Sequence, residues 1–160
     1  MNNFPVQHDN KTYWISRSIA VANFIFTIIN GKWCVLANKR GPGTPNYQGF
    51  WNVPCGYLDF DETTKEAACR EAFEETGIVV NPNLISLWSY DDDPKSTLQN
   101  VTFNFFSFLH KDQEVSISDR GGEINEVEQV KWIPVKDISN YKWAFNHDKT
   151  ITEMVKKFRL

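Results

Sequence analysis

A chain of 160 residues is long enough to close one domain around its own core, and 41% hydrophobic with 23% charged residues is the balance of an ordinary globular protein. The net charge of −3 excludes the basic footprint of broad nucleic-acid binding. The N-terminal MNNFPVQHDNK lacks the apolar stretch of a signal peptide, and the longest apolar run, residues 19–29, is interrupted by Asn23 and Thr27 and too short to cross a bilayer.

Residues 1–16 read as an N-terminal arm, polar and irregular over residues 1–14, and a single domain is expected over 17–160. Residues 18–29, rich in Ile, Val and Phe, predict a mostly buried strand. Asn30-Gly31 signals a hairpin turn, with the return strand over 32–39. Residues 41–49 are a Gly/Pro loop, and short strand pieces flank Pro54 at 50–53 and 57–58. Thr63 and Glu66 fit a capping box, so a helix should run from there to about Thr76, packing through Ala68, Cys69, Ala72 and Phe73. Gly77 is a natural helix stop. A strand is expected from 78 to 90, a loop at 91–94, and an aromatic-rich strand over 99–109. A polar loop follows over 111–125, then a strand over 126–133 and an amphipathic helix over 148–158. Strands, helix, strands, helix predict an α/β (α+β) fold with a mixed sheet and helices on its faces. Cys34, Cys55 and Cys69 form neither a CxxC pair nor an even framework, which predicts reduced thiols in a cytoplasmic protein.

Glu71, Glu74 and Glu75 fall at i, i+3 and i+4, so the helix presents all three on one face. They sit in its last turn, where the macrodipole is already negative, and like charges at this spacing repel. A fold needs a cation to offset them, and hard divalent cations such as Mg²⁺ take oxygen ligands. The pattern predicts a metal site and, with it, phosphate chemistry.

Residues 56–78, GYLDFDETTKEAACREAFEETGI, fit G-x5-E-x7-R-E-U-x-E-E-x-G-U, with U apolar, at Gly56, Glu62, Arg70, Glu71, Ala72, Glu74, Glu75, Gly77 and Ile78. In this the chain resembles the Nudix hydrolase family. Trp51 and Pro54 ahead of the motif, and Trp132, Ile133 and Pro134 after a later strand, are similar to that family too, so the resemblance covers residues 17–160. It implies an α/β/α sandwich with a mixed sheet. It also implies Mg²⁺- or Mn²⁺-dependent hydrolysis of a nucleoside diphosphate linked to another group, with in-line attack of water on one phosphorus.

Position by position, the resemblance assigns Glu71, Glu74 and Glu75 to the metal, counts Gly56 in the metal set, and prefers Glu74 as the base that deprotonates the water. Arg70 is expected to hold a carboxylate, Glu62 for example, through a bidentate bond. Glu62 is then structural or a remote metal ligand. Glu123 and Glu126 are the candidates for a further acidic ligand from beyond the motif, each with a surface role as its alternative; Asp91, Asp92 and Asp93 are another option. Many members carry two glycines after the proline, and here Cys55 takes the first place, which leaves a role for its thiol open. Gly56 is read as freedom for the turn into the motif. Arg40 follows the second strand, where it meets phosphate or only solvent. Tyr47, Phe50, Trp88 and Tyr90 either stack on a base or belong to the core. His8, His110 and His147 show no ligand spacing and receive no role.

Pro94 resembles a proline of the subgroup that cleaves ADP-ribose, so ADP-ribose or a related nucleotide sugar leads as substrate. An (oxidised) nucleoside triphosphate, split to monophosphate and pyrophosphate, is the alternative. A non-catalytic nucleotide-binding module would have lost glutamates, and the intact motif favours hydrolysis over the prenyl-diphosphate isomerisation that shares the fold. No membrane or nucleic-acid partner is expected. Homodimers are common among similar proteins, which makes a homodimer the expectation for assembly.

Overall fold

Asp9 and Asn10 adopt φ of 47° and 61°, a two-residue turn that folds the supposedly irregular arm into a hairpin of β1 (Phe4–His8) and β2 (Lys11–Ile15). Asp and Asn tolerate this left-handed conformation better than other side-chain-bearing residues, which is the local reason for the turn. The computed structural model describes residues 3–110, 115 and 125–160.

The Asn30-Gly31 turn, with φ of 50° and 73°, joins β3 (Ser18–Ile29) to β4 (Lys32–Arg40) as expected. These strands pair only near the turn, Phe26–Ile29 against Lys32–Val35. Beyond it they part, and residues 51–57 enter the fork. There β5 (Trp51–Asn52) pairs with Asn38 and Lys39, and β6 (Cys55–Tyr57) pairs with Ala20, Val21 and Ala22. The Asn23 N–H closes the fork on Pro54 O at 2.9 Å. The start of the glutamate motif is therefore held at the centre of the sheet.

The motif helix is α1 (Thr64–Thr76). Then come β7 (Ser86–Asp91), β8 (Asn100–Phe108), β9 (Val127–Pro134) and α2 (His147–Phe158). The strand expected over 78–90 starts only at Ser86, because Pro82 opens a 3₁₀ turn capped by Asn81. The loop expected over 111–125 lies outside the described residues, apart from 115 and 125. The sheet runs β5-β4-β3-β8-β7, with β6 on β3 and β9 on β4. The β3–β8 pair is parallel and the other pairs are antiparallel, so the sheet is mixed.

Alternate residues of β3 and β4 feed two cores. Phe24, Phe26, Val35 and Ile133 pack with Ile151 and Met154 of α2. Val21, Ile25 and Leu36 pack with Ala67, Ala68 and Ala72 of α1. Covering both faces explains why β3 is buried continuously from Ala20 to Thr27 rather than in alternation. The stripe of α1 differs slightly from expectation: Ala67 and Thr76 are buried with Ala68 and Ala72, while Cys69 and Phe73 are half-buried at its edges.

Candidate active site

Helix α1 is anchored at both ends by the residues that predict it. Thr63 caps the Glu66 N–H while the Glu66 carboxylate returns to the Thr63 N–H at 2.8 Å. Gly77 takes φ 74° and donates to Phe73 O at 2.8 Å. The last turn contains no basic residue.

Among the described residues, the cation that bonds Glu62, Glu71 and Glu74 directly is Arg70. Its Nε and Nη2 donate to the two oxygens of Glu62 at 3.1 and 2.8 Å, the bidentate pair expected from sequence. Its Nη1 donates to Glu71 Oε1 at 2.8 Å and Glu74 Oε2 at 2.9 Å, and Nη2 also reaches Tyr57 O at 2.9 Å. Glu62 additionally accepts from the Asp59 N–H at 2.8 Å. These bonds hold the Glu62 carboxyl below the usual carboxylate range, Arg70 first among them. The wrong-end charge of α1 is thus met in part by the protein itself.

Glu75 turns inward, and its Oε2 accepts from the Cys55 N–H at 3.0 Å. Burial pushes its carboxyl well above the ordinary range, and the neighbouring Glu71 charge adds to this. Burial likewise pushes Glu71 up to about 7, against the pull of Arg70. Gly56 lies against this group, and a Cβ there would overlap the Glu71 carboxylate. Gly56 is absent from the positive-φ glycines. Space for Glu71, rather than the turn freedom expected, is what demands glycine.

Glu126 comes to the same place from the far end of the domain. The Gly41 N–H donates to Glu126 O at 2.6 Å and the Gly43 N–H to Asn125 O at 3.0 Å. The Glu126 charge is felt by both Glu71 and Glu75. Glu123 lies outside the described residues. Asp91, Asp92 and Asp93 are exposed, and the carbonyls of Asp92 and Asp93 accept from Arg17.

Cys55 accepts at Sγ from Asn52 Nδ2 at 3.1 Å, and burial, reinforced by Glu75, pushes its thiol strongly up. A thiol held in its protonated form is a poor nucleophile. Trp88, a stacking candidate, instead packs against Phe106 and Phe158 on the α2 side. Tyr90 is exposed beside Phe103. His147, given no role from sequence, is buried and accepts from the Val53 N–H at Nδ1, 3.2 Å. It thereby supports the Val53-Pro54-Cys55 lip of the site. No local spacing pattern signals this contact.

Among the described residues no three carboxylates, histidines or cysteines are grouped to grip a metal as they stand. The donor chemistry nevertheless fits a hard divalent cation. Glu71, Glu74 and Glu75 are half-buried carboxylates on one helix, and among the described residues Arg70 and a backbone N–H oppose their charge at hydrogen-bond distance.

The NUDIX domain profile matches residues 18–154. The chain belongs to the Nudix hydrolase family. An ADP-ribose pyrophosphatase of Methanocaldococcus jannaschii is 26% identical over 153 residues, covering 94% of this chain and 81% of that protein. Phosphatase NudJ of Escherichia coli K12 is 54% identical over 39 residues, which span 24% of this chain and 26% of NudJ. Among solved structures, the NUDIX domain of Shewanella oneidensis NrtR, complexed with ADP ribose, superposes with a TM-score of 0.76 at 22% identity over 90% of each chain. A MutT/nudix family protein of Enterococcus faecalis gives 0.73 at 19% identity, over 91% of this chain and 63% of that one. These structural likenesses establish the Nudix fold. Members of the family generally use divalent metal ions.

Proposed function

We propose that this Nudix hydrolase splits the pyrophosphate bond of a nucleoside diphosphate linked to a second group, with ADP-ribose or a related nucleotide sugar as lead substrate and Mg²⁺ or Mn²⁺ as cofactor. The observation that carries the reading is that Glu71, Glu74 and Glu75 come from one helix, with Arg70 bridging Glu71 and Glu74, the Cys55 N–H holding Glu75, Glu71 packed into the space that Gly56 leaves, and the Glu126 charge acting on Glu71 and Glu75. The relative named ADP-ribose pyrophosphatase, matched over 94% of this chain, supports the choice of substrate. A cytoplasmic location fits the free Cys34, Cys55 and Cys69.

Glu71, Glu74, Glu75 and Glu126 would hold the cation. When bound, it supplies the positive charge that reconciles anionic carboxylates with an anionic diphosphate and withdraws charge from the phosphorus. The chain's own contribution is position. Arg70 fixes the rotamers of Glu71 and Glu74 through one nitrogen and is itself locked by Glu62. The Cys55 N–H fixes Glu75. Glu74 takes the proton of the attacking water on a carboxylate oxygen. The water oxygen bonds to one phosphorus, the bridging P–O bond breaks, and the second phosphate leaves with the bond's electron pair.

The test is a phosphate-release screen with Mg²⁺ over ADP-ribose, nucleotide sugars, dinucleotides, and normal and oxidised nucleoside triphosphates. Turnover of ADP-ribose that Glu74→Gln lowers by about 10²–10⁴-fold is the expected result. Preferred release of pyrophosphate from a triphosphate would replace the substrate. Undiminished kcat in folded Glu74→Gln would remove the assigned base.

A further inference from the structure

Arg40, the last residue of β4, lies between the carboxylate site and a group of aromatic rings. Its Nε donates to Asn46 O at 3.0 Å and its Nη2 to Asn46 Oδ1 at 3.2 Å, and the guanidinium carbon stands 5.0 Å from the centroid of Phe145. On the other side its charge acts on Glu75. Phe145 meets Tyr47 edge-on at 5.0 Å, and Tyr47 meets Phe50 at 5.6 Å. Tyr47 is 44% exposed.

Backbone conformation singles out the same residues. Tyr47, Phe145 and Asn146 have φ of 54°, 57° and 57°. Bulky side chains such as those of Tyr47 and Phe145 avoid this region, and holding them there strains the backbone. A glycine would adopt it without strain, yet two of the three positions carry aromatic rings beside solvent. Asn146, at the start of α2, tolerates the conformation as asparagine commonly does.

The loop carrying Tyr47 is also preformed. The Arg40 N–H donates to Phe50 O and the Gly49 N–H to Arg40 O, both at 2.8 Å, while Gly41 and Gly43 tie the loop to Glu126 and Asn125. The rings and the carboxylates are thus braced by one set of backbone bonds. A partly exposed ring, Tyr47, set edge-to-face against Phe145 beside a cation and next to a diphosphate site, is complementary to one ligand chemistry: a planar base carrying phosphate.

We propose that Tyr47 and Phe145 form the stacking platform for the nucleobase of the substrate, with Arg40 beside them contacting its phosphate chain. This rests on the diphosphate reading and adds to it which residues hold the base. Phe50 supports the platform from behind Tyr47.

Calorimetric titration of the Glu74→Gln protein, with millimolar Mg²⁺ and without turnover, tests it with AMP and ribose 5-phosphate as probes. AMP is expected to bind more tightly than ribose 5-phosphate. Tyr47→Leu and Phe145→Leu, each added to that background, should weaken AMP about tenfold and leave ribose 5-phosphate unchanged. Arg40→Gln should weaken both. The proposal is overturned if AMP does not bind, if it binds no better than ribose 5-phosphate, or if Tyr47→Leu with a native melting temperature keeps full AMP affinity. Tyr47 is exposed enough that its variant is expected to fold even where Phe145→Leu does not. Ring-dependent AMP binding without cleavage of any diphosphate would sink the hydrolytic reading alone; cleavage with ring-independent binding would sink this inference alone.

Discussion

The backbone N–H of Val53 donates to Nδ1 of His147 at 3.2 Å, and the His147 ring is only 5% exposed. As an acceptor at Nδ1 the ring must be neutral, with its proton on Nε2. Burial lowers its pKa to about 3, from 6.5 when unfolded, and Arg40 adds to the effect. Between these values the unfolded chain binds a proton that the folded chain refuses. The stability associated with neutral His147 is therefore full above pH 6.5 and is lost as pH falls toward 3. His147→Asn should lower the melting temperature at pH 7.5 but flatten its fall between pH 6.5 and 4. A parallel acid limb in both proteins would show that His147 does not titrate on unfolding.

Arg70 stands among Glu62, Glu71 and Glu74, all partly buried. Removing it leaves three carboxylates facing each other. Arg70→Ala should cost about 1–3 kcal/mol in urea unfolding without metal. Arg70→Lys should recover little of this, because an ammonium cannot form the two-nitrogen fork to Glu62 while also reaching Glu71 and Glu74. Millimolar Mg²⁺ should restore part of the loss in Arg70→Ala. Equal stability of the wild type and Arg70→Ala without metal would show that the pairs contribute no net stability.

What the sequence reveals and what it hides follow from the range of each interaction. The capping box, Gly77 and the shared face of Glu71, Glu74 and Glu75 depend on spacing within one helix, so they are readable. Arg70 with Glu62 is readable too, since only the Thr63 cap and the first turns of α1 separate them. The further bonds from Arg70 to Glu71 and Glu74 depend on rotamers that spacing does not determine. Glu126 is a candidate only by position; its approach depends on the β9–β4 register and the Gly41 bond. His147 is hidden because its partner is a backbone amide in a remote segment. The β1–β2 hairpin escapes because FPVQH and KTYWI are exposed on both faces and lack the alternation of a half-buried strand.

Gly56→Ala separates the two reasons for a glycine. Its backbone conformation is open to alanine, but the added Cβ would strike the Glu71 carboxylate. Glu71 must then swing away from the site. kcat/KM for the cleaved substrate should fall by about 10²-fold, with a smaller loss of melting temperature. Gly56→Ala combined with Glu71→Asp, which shortens the obstructed side chain, should regain stability relative to the single glycine variant. Additive stability losses in the double variant would mean that the clash is relieved elsewhere.

Metal dependence of stability should itself depend on pH. Burial raises Glu71 to about 7 and Glu75 well above the usual range. In the metal-free protein these groups keep protons that the unfolded chain has released above about 4.5. Their contribution is therefore largest below that value and declines as pH rises through about 7. A divalent cation binds the deprotonated carboxylates and reverses the decline. At saturating Mg²⁺, 100 times Kd for instance, stabilisation amounts to about 2.7 kcal/mol. The rise in melting temperature on adding Mg²⁺ should be clear at pH 8, small at pH 5, and abolished by EDTA. An equal rise at both pH values would place the cation elsewhere than on Glu71 and Glu75; no rise at pH 8 would show that these carboxylates do not recruit it without substrate.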